Sequence, residues 1–151
     1  METTFAEAPP CTIVYLDADD YLCAVPQSLS EDETELDLRT CPLDYLEIHF
    51  TEGFCWQLAI QLHEVTGLPL FDVDRSHVVV GDSTDGLFLD IKGWSTTADL
   101  ESEWGMGDGG RFTIAEITVA KARTWGNAYE GPSVSDAAVR VVAERLIAVF
   151  C

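Results

Sequence analysis

A chain of 151 residues, 47% of them hydrophobic, is long enough to bury a core and too apolar to be disordered throughout. Its 8 Lys+Arg stand against 27 Asp+Glu, a formal net charge of -19 that argues against direct binding of nucleic acid or of an anionic membrane. No apolar run approaches the roughly 18 residues of a membrane-spanning helix, and the opening METTFAEAPP lacks the basic and apolar stretches of a secretory signal. Cysteines at 11, 23, 41, 55 and 151 are odd in number and widely spaced, which predicts free thiols in a reducing, cytoplasmic setting.

In chain order, two short apolar runs, CTIVYL and YLCAV, flank Asp17, Asp19 and Asp20 and predict two strands or one hairpin over residues 11–25. The stretch SLSEDETELD, residues 28–37, predicts an exposed loop or linker, part of an acidic segment near 28–40 in a single domain. Residues 42–50, PLDYLEIHF, read two ways. Pro42 after Thr40 suits a helix start, while the alternation of Leu46, Ile48 and Phe50 suits a strand; a short helix is the preferred reading. Apolar residues at 54, 55, 58, 59, 62 and 65 then give helical spacing from Phe54 to Thr66, ended by Gly67 and Pro69.

Leu70–Val73, Ser76–Val80 and Leu87–Ile91 read as strands, the last two joined by the turn-rich run from Gly81 to Gly86. Asp99–Trp104 suggests one helical turn, 105–110 a loop, and Phe112–Val119 a strand with a bulge near Ala115 and Glu116. A final helix is expected from Ser135 to Val149, with Ser133 or Ser135 as its cap and Val134, Ala138, Val141, Val142, Leu146 and Val149 as its apolar stripe. Strands and helices mix without βαβ alternation. The expected class is therefore α+β: a central helix carrying Cys55 packed on a small antiparallel sheet, with a C-terminal helix.

Three residues stand out chemically. Cys55 falls in the first turn of the best-defined helix, where open amides and the helix dipole favour a thiolate; the plainer reading is a small buried hydrophobe. His77 opens the strand HVVV and Asp90 closes the returning strand LFLD. Pairing Val80 with Leu87 sets His77 directly opposite Asp90, with β-carbons about 4.5–5.5 Å apart. The carboxylate would then hold one imidazole nitrogen and leave the other for a thiol proton. The competing reading is a structural His–Asp pair that pins the hairpin, and a one-residue slip would place the two side chains on opposite faces.

In order and element type, GFCWQLAIQL and HVVVGDSTDGLFLDIKG, over about residues 50–94, resemble the papain-like and transglutaminase-like thiol enzymes. Those enzymes set a Cys at a helix start against a sheet carrying His and then Asp or Asn. The resemblance implies Cys55 as nucleophile, His77 as general base and acid, and Asp90 as the group that orients the imidazole. The interval of 22 positions from Cys55 to His77 is shorter than most papain-like enzymes use, and no upstream oxyanion Gln is visible. The Cys55 amide would supply one oxyanion donor, with Thr51, His49 and the Trp56 indole as alternatives for a second.

Other motifs point to less. His49, His63 and His77 recur at equal intervals of 14 residues, but without C-x-x-C or H-E-x-x-H no metal and no cofactor is expected. GMGDGG at 105–110 lacks the Gly-Lys-Ser/Thr of a phosphate loop. Trp56, Trp94 and Trp104 either line a cleft near Cys55 or fill core. The expected function is a small cysteine hydrolase or acyl-transfer enzyme acting on a peptide or protein acyl group through a thioester. Peptidase, deamidase and transglutaminase outcomes share that first half and stay open. The alternative, motivated by the charge of -19, is a non-enzymatic acidic inhibitor or interaction protein that occupies a basic site on a partner, with imitation of nucleic acid as one form of it.

Overall fold

The structure, a computed structural model, describes residues 12–26, 33–105, 111–129 and 134–151. Asp17 turns the first hairpin: its carboxylate accepts the amides of Asp19 and Tyr21, each at 2.9 Å. Strands β1 (Ile13–Leu16) and β2 (Leu22–Cys23) therefore pair antiparallel, as the two apolar runs predict. On the other side of β1 lies β3 (Thr34–Asp37), with Val14 opposite Leu36. The loop expected over 28–37 is thus a strand at its C-terminal end. Pairing with β1 satisfies its backbone, and Leu36, 5% exposed, anchors it in the core. The remainder of that acidic stretch, through residue 32, lies outside the described residues.

A 3-10 turn (Leu43–Leu46) runs into α1 (Glu47–Thr51), so residues 42–50 take the helical reading. The chain then enters α2 (Cys55–Thr66), whose first eight residues are all buried. Burial all round follows from its position between the C-terminal helix on one side and a sheet on the other. It ends as expected at Gly67, whose φ of 78° suits a residue without Cβ and lets its amide bond back to the His63 carbonyl at 2.8 Å.

The sheet behind α2 has five antiparallel strands in the order β7-β6-β5-β4-β8. They are β4 (Leu70–Val73), β5 (His77–Asp82), β6 (Leu87–Asp90), β7 (Gly93–Thr96) and β8 (Ile114–Ile117). Alternation sorts their side chains. Leu70, Val78, Val80 and Leu89 join the core built around α2, whereas Phe71, Val73, Val79 and Phe88 pack with Leu100 of α3 (Thr97–Trp104). The sheet is thus covered on both faces.

The later part of the chain departs from expectation in three places. Strand β7 was not legible, because its Trp-Ser-Thr carries no apolar alternation; its register with β6 forms it, from Leu87 opposite Thr96 to Asp90 opposite Gly93. Helix α3 spans two turns rather than one, because Thr96 and Asp99 form a reciprocal capping box at its start. The expected bulge near Ala115 is absent: β8 pairs with β4 without interruption, from Leu70 opposite Ile117 to Val73 opposite Ile114. The strand stops at Ile117, because Thr118 accepts the Lys121 amide at 3.1 Å and starts α4 (Val119–Arg123).

Helix α5 (Asp136–Phe150) begins on Ser135, which accepts the Ala138 amide at 3.1 Å. Its buried stripe is Ala138, Val139, Val142, Ala143 and Leu146; Val149, expected inside, is 64% exposed. The stripe turns toward 139 and 143 because the helix packs along α2. The fold is α+β, with a central helix on an antiparallel sheet and a C-terminal helix. Among the described residues no helix is long and apolar enough to cross a membrane.

Candidate active site

Cys55 is the first residue of α2, and it is 3% exposed. Gly53, at φ 140°, makes the sharp exit from α1 that brings the chain into α2. Among the described residues no side chain caps the helix; the Gln57 amide bonds back to the Phe54 carbonyl at 3.1 Å, and the helix dipole at this end favours an anion. Phe54 just before it stacks flat on His49, with ring centroids 4.4 Å apart and planes at 1°. His49 in turn accepts the Leu22 amide on Nδ1 at 3.1 Å, and burial pushes its pKa down to about 3, so it is a neutral ring. The first hairpin is thereby tied to the mouth of α2, and Tyr21 adds a bond from its hydroxyl to the Glu52 carbonyl at 3.0 Å.

His77 and Asp90 meet, though not in the expected register. Strand β5 continues through Gly81 and Asp82, and Asp82 then accepts the Thr84 amide at 2.8 Å to start a tighter turn. Val80 therefore faces Leu89 rather than Leu87, and the ladder continued by one step puts Val79, not His77, across from Asp90. The displacement is two residues, which preserves the side-chain phase. His77 lies diagonal to Asp90 on the same face, close enough for Nε2–H to donate to Oδ2 at 2.8 Å. The second carboxylate oxygen accepts the Lys92 amide at 2.9 Å, which fixes the orientation of Asp90.

The imidazole is fully buried, and the indole of Trp104 stacks on it with centroids 4.3 Å apart and planes at 15°. Burial alone would lower its pKa. The Asp90 hydrogen bond, and then the Cys55 sulfur beside it, outweigh burial and raise the pKa to about 9. With Nε2 committed to Asp90, the ring nitrogen left for the thiol is Nδ1, which is buried and without a hydrogen-bond partner among the described residues. The expected trio of Cys55, His77 and Asp90 is thus brought together at one end of the sheet, with the Cys55 sulfur close enough to the imidazole to help raise its pKa.

A cleft of about 360 Å³ opens over Cys55, lined by Tyr21, Thr51, Glu52, Gly53, Ser76, Trp104 and Trp125. Of the tryptophans expected there, Trp104 is present. Trp56 is 2% exposed in the core, and Trp94 reaches away to the Phe150 carbonyl at 3.0 Å. Glu52, Ser76 and Trp125 were missed, since only the packing of distant segments places Ser76 and Trp125 beside the helix mouth.

The alternatives for a second oxyanion donor also separate. The Thr51 hydroxyl is spent on the Glu47 carbonyl at 2.7 Å. Among the described residues His49 Nε2 and Trp56 Nε1 are buried without partners, and neither residue lines the cleft. Trp104 Nε1 is also unpartnered among the described residues, and its residue does line the cleft. His63 is occupied elsewhere: its Nδ1 meets the Leu68 carbonyl at 2.7 Å. Among the described residues no group of three or more His, Cys, Asp or Glu converges as metal ligands would. Most of the glycine run expected as a loop, residues 106–110, lies outside the described residues. Comparison with known proteins finds no matching family model, no matching curated protein and no matching solved structure.

Proposed function

We propose that this protein is a small cysteine hydrolase or acyl-transfer enzyme that works through a thioester on Cys55. The observation that carries the reading is the His77 ring, held through Nε2 by Asp90 at 2.8 Å, with Nδ1 unpartnered among the described residues and the Cys55 sulfur beside the ring, near an open cleft. A structural pair pinning a hairpin needs neither the thiol nor the cleft.

In this mechanism the thiol proton already rests on Nδ1 at neutral pH, where the raised pKa keeps His77 an imidazolium that Asp90 holds, and the sulfur is the nucleophile. The sulfur adds to the carbonyl carbon of an amide or ester. The negative oxygen is received by the Cys55 amide and the Trp104 indole N–H. The bond from carbon to the leaving nitrogen or oxygen breaks, and the imidazolium protonates that leaving group. Water or an amine then attacks the thioester, gives its proton to His77, and expels the sulfur. The order Cys, His, Asp across a helix start and an antiparallel hairpin supports a distant likeness to the papain-like and transglutaminase-like enzymes. A peptide or protein acyl group is the substrate class. Cys23, Cys41, Cys55 and Cys151 form no disulfide among the described residues, which fits a reducing cytoplasm.

Incubation with p-nitrophenyl acetate tests the reading. The intact protein should gain one acetyl group on Cys55 and release nitrophenolate in a burst, and Cys55→Ala should do neither. An unmodified wild-type Cys55 would contradict it.

A second reading has its own support. The formal charge of -19, with an exposed turn at Asp19 and Asp20, suits docking to a basic protein. Salt-sensitive binding that persists in Cys55→Ala would favour it.

A further inference from the structure

We propose that the cleft beside Cys55 is a cation subsite, so that the acyl substrate carries a Lys or Arg side chain next to the carbonyl that Cys55 attacks. The inference rests on the thiol-enzyme reading and names its substrate class.

Glu52 is the charged residue among those lining the cleft. It is exposed, and no Lys or Arg of the described residues forms a salt bridge with it. The nearby cations are otherwise placed. Lys92 is tied to Glu103 at 2.6 Å, and Arg75, although it precedes Ser76, does not line the cleft. The loop bearing Glu52 is anchored, since its carbonyl accepts the Tyr21 hydroxyl at 3.0 Å. The same cleft has aromatic walls, Tyr21, Trp104 and Trp125.

A Lys or Arg side chain matches this combination: its methylene stem covers apolar surface while its charged head reaches the carboxylate. A neutral apolar side chain would cover the rings but leave Glu52 partly desolvated and unpaired. An acidic one would meet Glu52 as a like charge. At about 360 Å³ the cleft suits one long side chain, near the small end of ligand pockets at roughly 300–1,000 Å³.

The test uses three chloroacetamides of matched size whose amide substituent ends in a trimethylammonium, a hydroxyl or a carboxylate. In each, the Cys55 sulfur displaces chloride and forms a thioether. Rates on the full chain are followed by intact mass and peptide mapping, each divided by the rate of the same reagent with free cysteine. The cationic reagent should outpace the neutral one by roughly threefold to tenfold. Glu52→Gln should bring the cation-to-neutral ratio close to one, and Glu52→Lys should invert it.

The general acidic field is controlled by Asp85→Asn. Asp85 lies in the turn beyond the far end of β5, and His77 and Asp82 are five positions apart along that strand, a span of roughly 17 Å. That variant should keep the ratio. Equal rates for all three reagents, or a preference that survives Glu52→Gln, would overturn the subsite while leaving Cys55 a reactive thiol. Failure of every reagent to label Cys55 would overturn both the subsite and the thiol-enzyme reading.

Discussion

Replacing Asp90 with Asn removes the carboxylate but keeps its shape, and the consequence can be worked from the site. Burial opposes a charged His77, the Asp90 hydrogen bond and the neighbouring Cys55 favour it, and the balance raises the pKa from 6.5 to about 9. At roughly 1.4 kcal/mol per tenfold change in proton affinity, that difference is about 3 kcal/mol. The imidazole pKa lies above its unfolded value, so this contribution is fully present below pH 6.5 and is lost as pH rises through about 9. A carboxylate partner accounts for roughly one to three pH units, so in Asp90→Asn the ring should titrate between about 6 and 8.

Two assays read this: NMR titration of the His77 ring, and urea and thermal unfolding of both proteins between pH 6.5 and 10. Between pH 6.5 and 10 the wild type should lose up to about 3 kcal/mol more than the variant, visible as a relative fall in Tm of about 6–12 °C for a chain of this size. A variant ring that still titrates near pH 9, or identical pH dependence of stability in the two proteins, would refute the electrostatic account.

His49 gives the opposite limb. Its pKa is pushed down to about 3 by burial, so its contribution is present above pH 6.5 and lost as pH falls toward 3. His49→Gln should therefore flatten the acid side of the unfolding profile, and a parallel profile would contradict that. At Gly126 an added Cβ would stand 2.7 Å from the Trp56 ring, so Gly126→Ala should cost about 1–3 kcal/mol in urea unfolding; a neutral result would show that the ring can move. Ser135→Ala removes the cap from the Ala138 amide at 3.1 Å and should cost about 1 kcal/mol by the same assay, whereas no loss would mean the cap is redundant.

What the sequence made legible was carried by local signals. Helix α2 follows from its spacing and its Gly67 stop, and the β5–β6 hairpin from two apolar strands around a turn. The meeting of His77 with Asp90 was legible despite a register misplaced by two residues, because an even displacement leaves both side chains on one face. The bulge expected in β8 failed because the polar phase near Glu116 reflects an exposed edge strand, not an extra residue. Strand β7 owes its existence to its neighbour β6 rather than to its own composition. Trp104 over His77, and Trp125 across the cleft, depend on how α3 and the segment after α4 fold back, which no local pattern encodes.

The central claim is that Cys55, His77 and Asp90 act as one chemical unit. The direct measurement is the rate of Cys55 acetylation by p-nitrophenyl acetate in His77→Ala, Asp90→Ala and the double variant, with folding checked by circular dichroism. General-base help is worth roughly 10²–10⁴-fold, so His77→Ala should slow acetylation by at least about a hundredfold. Asp90→Ala should slow it as well, and the double variant should be no slower than His77→Ala alone, because Asp90 acts through the imidazole. Acetylation at the wild-type rate in a folded His77→Ala protein, or independent and multiplying losses from the two changes, would contradict the account.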